Sequence, residues 1–172
     1  MKRLIAWMLL LVMAAALAGC RESEEIRDPV SFYYRRAAIE YGGEDGVVAP
    51  EKREAYGLRE DLLALLQLYI RGPETEGLVN VFPHSAEVLA VSQEETVVTV
   101  HMSRSFSQLG GIRLSVACTC LAKTVMELTG AETVRISADN ATLAGARYLE
   151  FDKDTVLLED TGAVHTEPTT GN

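Results

Sequence analysis

Residues 88–138 read VLAVSQEETVVTVHMSRSFSQLGGIRLSVACTCLAKTVMELTGAETVRISA, and they determine more of the fold than any other part of the chain. Segment 96–102 (TVVTVHM) places Val98, Val100 and Met102 on one side and Val97, Thr99 and His101 on the other, with the period of two of a β-strand. Segment 88–92 (VLAVS) predicts a neighbouring strand. The short polar turn between these segments predicts an antiparallel hairpin. Segment 112–128 carries apolar side chains at steps of three and four, which predicts a helix that ends at Gly130. Segment 133–138 alternates again and predicts a further strand.

The chain before this stretch predicts further strands and a helix. Segment 30–35 (VSFYYR) is β-branched and aromatic, as strands prefer. Segment 47–49 predicts one short strand, after which 50–53 (PEKR) leads towards a helix. Segment 59–71 (REDLLALLQLYIR) predicts that helix, because its leucines recur on one helical face and a Gly-Pro pair directly follows.

The order of these elements indicates the fold class. Strand, helix, strand, strand, helix and strand follow one another, and segments 147–151 and 155–158 predict a last hairpin. In such an order, two amphipathic helices cover one face of a mostly antiparallel sheet. We therefore predict a small two-layer α+β sandwich over residues 29–158, followed by a disordered tail over residues 159–172.

The first twenty residues predict export and lipid attachment. Lys2 and Arg3 precede an unbroken apolar run over residues 4–18, which has the length of a signal-peptide core and falls short of a membrane-spanning helix. The run ends in LAGC, which resembles the bacterial lipobox. That resemblance implies acylation of the Cys20 thiol and cleavage before it, so that residues 1–19 are a lipoprotein signal peptide. An uncleaved N-terminal membrane helix is the alternative.

The residues after the predicted cleavage site form a polar connection. Residues 20–28 comprise the lipidated Cys20 and the segment RESEEIRD, in which most side chains are charged. This composition predicts a tether that holds the domain away from the lipid headgroups. The predicted location is the extracytoplasmic face of the cell membrane, with the bilayer bound through the acyl chains on Cys20.

Composition argues against several classes of function. The 25 acidic and 16 basic side chains give a formal net charge of −9, and a cleavage that removes Lys2 and Arg3 lowers it by two, to −11. Such a chain offers no broad basic surface for phosphate backbones, so nucleic acid is not an expected partner. Three cysteines, one of them in the lipobox, and three scattered histidines predict neither a disulfide scaffold nor a histidine-rich metal centre.

The sequence predicts no catalytic, cofactor-binding or metal site. Cys118 and Cys120 point about 200° apart on the predicted helix, so we expect two unbonded core thiols, with Cys118 packed against the sheet. His101, considered with Ser103 and Ser105, lacks a nucleophile elbow and an acidic third member, and is predicted to be a half-exposed strand residue. The acidic groups Glu44-Asp45, Glu94-Glu95 and Asp152/Asp154 lie on predicted turns that lack the calcium-loop pattern.

Several features together carry a resemblance to a known family. They are the opening strand VSFYYR, a leucine-rich helix that ends in Arg-Gly-Pro, a Phe-Pro turn before the hairpin, and the helix LSVACTCLAKTVMEL followed directly by a strand. In their order and spacing these features resemble the GerMN domain of spore germination and sporulation proteins, over roughly residues 29–141. The resemblance implies a fold similar to ring-building modules, a lipoprotein on the outer face of a Gram-positive membrane, and no catalytic residues. The protein that gives the family its name resembles a tandem of two such domains, and this chain contains one.

The sequence therefore favours an interaction module over an enzyme. The expected role is that of a membrane-anchored, extracytoplasmic lipoprotein that assembles with envelope proteins or with itself, with sporulation or germination as the implied setting. We expect partner binding on the helix-free face or an edge of the sheet, where Thr133, Arg135 and Ser137 alternate with apolar residues. A secreted cell-wall hydrolase with an unrecognised site and a small ligand-sensing lipoprotein are the alternatives.

Overall fold

The described residues form seven strands and two α-helices. The computed structural model describes residues 26–38 and 46–156, so the predicted signal peptide, Cys20 and the predicted tail lie outside the described residues. The helices are α1 (Leu62–Tyr69) and α2 (Ile112–Thr129), and a short 3-10 helix covers Arg104–Gln108. The strands, in chain order, are β1 (Pro29–Arg36), β2 (Val48–Glu54), β3 (Leu78–Val79), β4 (Val88–Glu94), β5 (Val97–Met102), β6 (Thr133–Ala138) and β7 (Tyr148–Asp152).

The strands are divided between two sheets. In the first sheet, β1 lies between β2 and β3 and is antiparallel to both. The second sheet has the order β4-β5-β6-β7 and is antiparallel except for the parallel pair β5–β6. A parallel pair needs a crossover connection, and α2 provides it while packing against both β6 and β1. The predicted α+β class with mostly antiparallel strands is confirmed, and the division into two sheets is an addition to it.

The prediction that residues 50–53 lead from a strand towards a helix is wrong, because they continue β2. Tyr33 faces Pro50 across the β1–β2 ladder. The backbone N–H and C=O of Tyr33 are bonded to side chains of the two helices, so they point away from Pro50. Proline has no N–H to donate to a ladder, and none is needed at this position.

Two other elements differ from their predicted bounds. Helix α1 is shorter than the predicted 59–71, because Asp61 caps it by accepting a hydrogen bond from the Ala64 N–H at 3.0 Å. Strand β7 pairs with β6. The strand predicted over 155–158 as the partner of β7 does not form at residues 155 and 156. Residues 157 and 158 lie outside the described part of the chain.

Tyr69 is the centre of an aromatic cluster in the core. Its ring centroid lies 5.3 Å from that of Phe32, 5.0 Å from that of Tyr34 and 5.2 Å from that of Phe82. Phe106 extends the cluster with a centroid distance of 6.2 Å to Phe82. All five rings are buried. Packed aromatic pairs at such distances stabilise beyond their buried area alone, so the cluster holds β1, α1 and the chain around Phe82 together.

Hydrogen bonds from the two helices complete the backbone of β1. The Tyr69 hydroxyl donates to the Tyr33 carbonyl at 2.7 Å, and the Tyr33 N–H donates to the Thr124 hydroxyl oxygen at 2.9 Å. In return, the Tyr34 hydroxyl donates to the Tyr69 carbonyl at 2.8 Å, at the last residue of α1. A buried backbone group without a partner is costly, so these side chains replace the neighbouring strand that β1 lacks at Tyr33.

Two buried charged residues of β2 hold the loop after α1. Glu51 is 3% exposed, and its Oε1 accepts hydrogen bonds from the backbone N–H groups of Glu74 and Thr75 at 2.8 and 2.5 Å. Arg53 donates to the Gly72 carbonyl at 3.1 Å and also pairs with the Glu74 carboxylate. A buried charge needs such partners. Glu51 and Arg53 of β2 can therefore be buried only because the loop after α1 supplies those partners.

Glycine is required at position 72 of this loop. Its φ is +107°, and a Cβ there would lie 2.9 Å from Asn80 Nδ2. Asn80 itself cannot easily withdraw, because it donates to the Ile70 carbonyl at 3.0 Å and accepts from the Phe82 N–H at 3.0 Å. Gly72, which follows α1 in this loop, therefore allows the close packing between the loop and the chain after β3.

Tyr69→Phe tests whether the hydroxyl is needed to complete β1. The ring and its packing remain, but the Tyr33 carbonyl loses its donor, so the free energy of unfolding should fall by about 1–3 kcal/mol. Tyr148→Phe removes a hydroxyl from a half-exposed ring and should change stability by less than about 0.5 kcal/mol. Urea denaturation of both variants measures the difference, and equal losses would contradict the role of the Tyr69 hydroxyl.

Candidate interaction site

The outer face of the second sheet has the predicted alternation. In β6, Val134, Ile136 and Ala138 are buried, whereas Thr133, Arg135 and Ser137 are partly exposed. In β5, alternate residues are buried in the same way. The prediction of which side of these strands faces the core is confirmed. That this outer face binds a partner stays a prediction.

The charged groups on this outer face are paired with each other. Arg135 Nε donates to Glu150 Oε2 at 2.6 Å, and the neighbouring carboxylate raises the pKa of Arg135. The Arg135 guanidinium also lies 5.6 Å from the centroid of the Tyr148 ring. Because Arg135 already has an acidic and an aromatic neighbour, a partner would have to displace them to reach its charge.

His101 meets different residues from those considered in the sequence. As predicted, it is half exposed, and its Nδ1 lies 3.0 Å from the Ser137 hydroxyl. Its Nε2 is 3.7 Å from Asp139 Oδ1, which is too long for a hydrogen bond. Ser103 and Ser105 instead bond to each other at 2.9 Å. Ser137, His101 and Asp139 are thus neighbours without the two connected hydrogen bonds that a catalytic triad uses.

The cysteines of α2 are buried and unbonded to each other. Cys118 and Cys120 are both free thiols in the core, as predicted. Both thiols are buried although they point in different directions, because α2 packs against β1 of the first sheet and against β6 of the second sheet. Burial raises the pKa of each thiol to about 12. A nucleophilic cysteine requires a thiolate at neutral pH, so neither residue has the protonation state of a nucleophile.

Two further properties concern metals and membranes. Within residues 26–38 and 46–156, no three His, Cys, Asp or Glu side chains are grouped so that they could hold a metal ion. Neither described helix combines the length and the apolar character needed to cross a bilayer.

An open groove of about 340 Å³ lies at the C-terminal end of β1. We call it the β1-end groove, and it is lined by Arg35, Asn80, Val81, Ile112, Arg113 and Val116. Ile112, the first residue of α2, is 83% exposed, more than any other large apolar side chain among the described residues. The groove thus presents an apolar side chain directly to solvent.

Two arginines give the β1-end groove its charge. Arg35 belongs to β1 and Arg113 to the first turn of α2. No carboxylate within the described residues forms an ion pair with either guanidinium. This differs from Arg53, Arg59 and Arg135, each of which has an acidic partner. The groove therefore combines positive charge without an acidic partner and exposed apolar surface.

Sequence reasoning did not identify the β1-end groove. Arg35 ends a predicted strand and Arg113 begins a predicted helix, and nothing in the spacing of these residues shows that they meet. The one local signal is Ile112, which lies off the buried stripe of α2 that begins at Leu114.

Comparisons with known proteins give a family and a fold. The Germane family model, described as sporulation and spore germination, matches residues 32–144. The structure is similar to the tandem GerMN domains of the sporulation protein GerM from Bacillus subtilis, with a TM-score of 0.53, 16% sequence identity and coverage of 73% of this chain and 47% of that chain. The chain thus spans about half the length of the tandem structure.

A second structure is similar over much of its own length. It is a candidate lipoprotein from Clostridium perfringens, with a TM-score of 0.44, 14% identity and coverage of 79% of this chain and 94% of that chain. No curated protein matches the chain significantly in sequence. At these identities, the likeness to GerM shows the fold alone.

We expect the protein to lose stability as the pH rises from about 8.5, where thiols of an unfolded chain ionise, towards the folded value of about 12. Over this interval the unfolded state binds fewer protons than the folded state, so the free energy of unfolding falls with pH. Below it, the stabilisation is fully present. Thermal unfolding in a series of alkaline buffers measures the decline.

The control for this pH dependence replaces both buried thiols. A double variant with Cys118→Ala and Cys120→Ala should show a shallower decline. Part of the decline should remain, because burial also raises the pKa of Tyr34 and Tyr69. A decline with the same slope in the double variant would contradict the assignment to the thiols.

Proposed function

The chain belongs to the Germane family of sporulation and spore germination, and we propose that it acts there as a lipid-anchored, non-enzymatic assembly module on the extracytoplasmic face of the cell membrane. The resemblance to the GerMN domain predicted from the sequence is confirmed by the family match and the fold. The family description names a process and no reaction. Assembly and anchoring are the parts that we propose.

The N-terminal sequence supports the anchor. A charged start, an apolar run over residues 4–18 and the LAGC ending agree with a lipoprotein signal peptide. Each buried CH₂ of an acyl chain contributes about 0.8 kcal/mol, so two or more chains on Cys20 would hold the protein stably in the bilayer. Only residues 21–25 separate Cys20 from Ile26, the first described residue.

The β1-end groove is the observation that carries the assembly role. Arg35 and Arg113 lie beside Ile112 without an acidic partner among the described residues. Guanidinium groups bind carboxylates strongly and directionally, and a neighbouring apolar contact excludes water from such a pair. The occupant that fits is a segment of an envelope protein that carries a carboxylate next to an apolar side chain.

Catalysis has weaker support in the structure. The Cys118 and Cys120 thiols are buried and protonated, and the His101 imidazole is not hydrogen-bonded to Asp139. The buried Glu51 and Arg53 are tied to the loop after α1, so they serve the fold. The two thiols and the Glu51–Arg53 pair therefore serve packing and the fold, which favours assembly over a hydrolase that would use these residues.

Cys20→Ala tests the anchor. The variant lacks the thiol that receives the lipid, so we expect it to remain an uncleaved precursor or to be released from the membrane. Membrane fractionation together with the mass of the N-terminal peptide measures both outcomes. Processing and membrane retention equal to those of the unmodified sequence would contradict lipid attachment at Cys20.

Charge reversal in the β1-end groove tests assembly. Arg113→Glu should weaken co-purification with envelope partners from detergent-solubilised membranes by about tenfold or more, which corresponds to a loss of about 1.4 kcal/mol or more. Ile112→Ser should weaken it as well, through the apolar contact. Arg147→Glu is the matched control, since Arg147 is exposed and outside the groove.

Two measurements make the result of this test specific. Thermal unfolding must be unchanged in the variants, so that any loss of binding belongs to the surface. Sedimentation of the purified chain shows whether the lost partner is a second copy. If both groove variants keep every partner that the Arg147→Glu variant keeps, the assembly role of the β1-end groove is wrong.

A further inference from the structure

The turn after β2 exposes a large aromatic side chain. The Leu58 N–H donates to the Ala55 carbonyl at 2.8 Å and closes a turn whose two central residues, Tyr56 and Gly57, have φ of +50° and +75°. Positions with positive φ favour Gly, Asn and Asp, and a bulky residue there is uncommon. Tyr56 is 61% exposed, so its ring gains little from packing within the domain. The fold alone therefore gives no reason for this residue.

Tyr56 belongs to the surface from which the N-terminal segment leaves the domain. Ile26, Arg27, Lys52 and Tyr56 line one shallow depression of about 660 Å³, which we call the tether surface. Ile26 is 40% exposed, so two large apolar side chains face solvent on this surface. The acidic residues Glu54 and Glu74 also line the depression, and Glu74 is paired with Arg53. Basic and acidic groups on the tether surface are thus nearly balanced.

The point where the chain leaves the domain is fixed by hydrogen bonds. Arg59 donates to the Asp28 carboxylate at 2.5 Å and to the Pro29 carbonyl at 2.8 Å. The Ala55 N–H donates to the Asp28 carbonyl at 3.2 Å, so the chain before β1 is bound to the residue next to Tyr56. The direction in which residues 26–28 approach the domain is therefore set by the same turn.

The length of the tether limits how far this surface can move from the anchor. Between Cys20 and Ile26 there are six peptide steps, which reach at most about 20 Å when fully extended. We propose that the tether surface rests on the lipid headgroups, with the Tyr56 ring and the Ile26 side chain inserted at the interface. This inference rests on the proposed acylation of Cys20. An aromatic ring with a polar tip is suited to this depth, and the long side chains of Arg27 and Lys52 reach lipid phosphates.

A single tryptophan placed on this surface tests the inference. The chain has one tryptophan, Trp7, which lies in the predicted signal peptide, so Tyr56→Trp introduces the sole tryptophan of the mature protein. The acylated variant is reconstituted into vesicles of phosphatidylglycerol and phosphatidylcholine, with or without bromine on the phosphatidylcholine acyl chains. Tyr148→Trp is the control, since Tyr148 is also exposed but does not line the tether surface.

Insertion predicts quenching that depends on position. Emission from residue 56 should be roughly halved by the brominated lipid, because interfacial side chains lie about 5–10 Å into the headgroup and acyl boundary. Emission from residue 148 should be unchanged. Ile26→Trp is the second reporter on the tether surface and should be quenched as residue 56 is, which keeps the test valid if the turn does not tolerate tryptophan.

The outcomes separate this inference from the proposed function. If the mature protein is acylated and sediments with the vesicles but residues 26 and 56 are quenched no more than residue 148, the tether surface does not rest on the bilayer, and the proposed anchor stands. If the N-terminal peptide carries no lipid, the anchor fails and the inference fails with it. Quenching at 26 and 56 but not at 148 supports both.

Discussion

The need to satisfy the backbone of β1 at Tyr33 organises the domain. Strand β3 pairs with β1 only at Arg35 and Arg36, so the partly buried N–H and C=O of Tyr33 must find other partners. Thr124 of α2 and Tyr69 of α1 supply one each. A single residue of β1 therefore fixes the position of both helices. The hydrogen bond to Tyr33 places the Tyr69 ring among Phe32, Tyr34 and Phe82, so Tyr69 is also the centre of the aromatic cluster in the core.

Elements whose apolar residues recur with a regular period were predictable from the sequence. Strand β6 has the predicted bounds, and α2 exceeds them by one residue, because alternation or a helical stripe coincides with burial there. The start of β2 was predicted, but its continuation past residue 49 was not predictable, since the buried side chains there include Glu51 and Arg53. Their charges are tolerated through contacts with Gly72 and the residues after it. Hydrophobic periodicity does not report partners that are distant in the chain, and so it also missed the two-sided burial of α2.

The candidate site was hidden from the sequence for the same reason. Arg35 and Arg113 come from different elements, and only the packing of α2 along β1 brings them to one groove. The family, in contrast, could be identified from the order and spacing of elements, because that order survives when side-chain identities change. What the sequence could not supply is the chemistry of a binding surface, which depends on which charges the fold leaves without partners. In the β1-end groove those are Arg35 and Arg113, which form no ion pair within the described residues, whereas Arg53, Arg59 and Arg135 each pair with a nearby carboxylate.

The two exposed surfaces lie at opposite ends of β1, and this has a mechanical meaning. The proposed tether enters at Pro29 and the groove begins at Arg35, so a pull between a lipid anchor and a partner in the groove would act along the strand. The hydrogen bonds to β2 are perpendicular to that direction, and the register joins the strands over seven residue pairs. Because Pro29 and Arg35 lie on the same strand, such tension would run through the covalent backbone of β1, and the bonds to β2 would hold that strand in place. A domain built in this way would transmit force between the proposed anchor and a bound partner through one continuous strand.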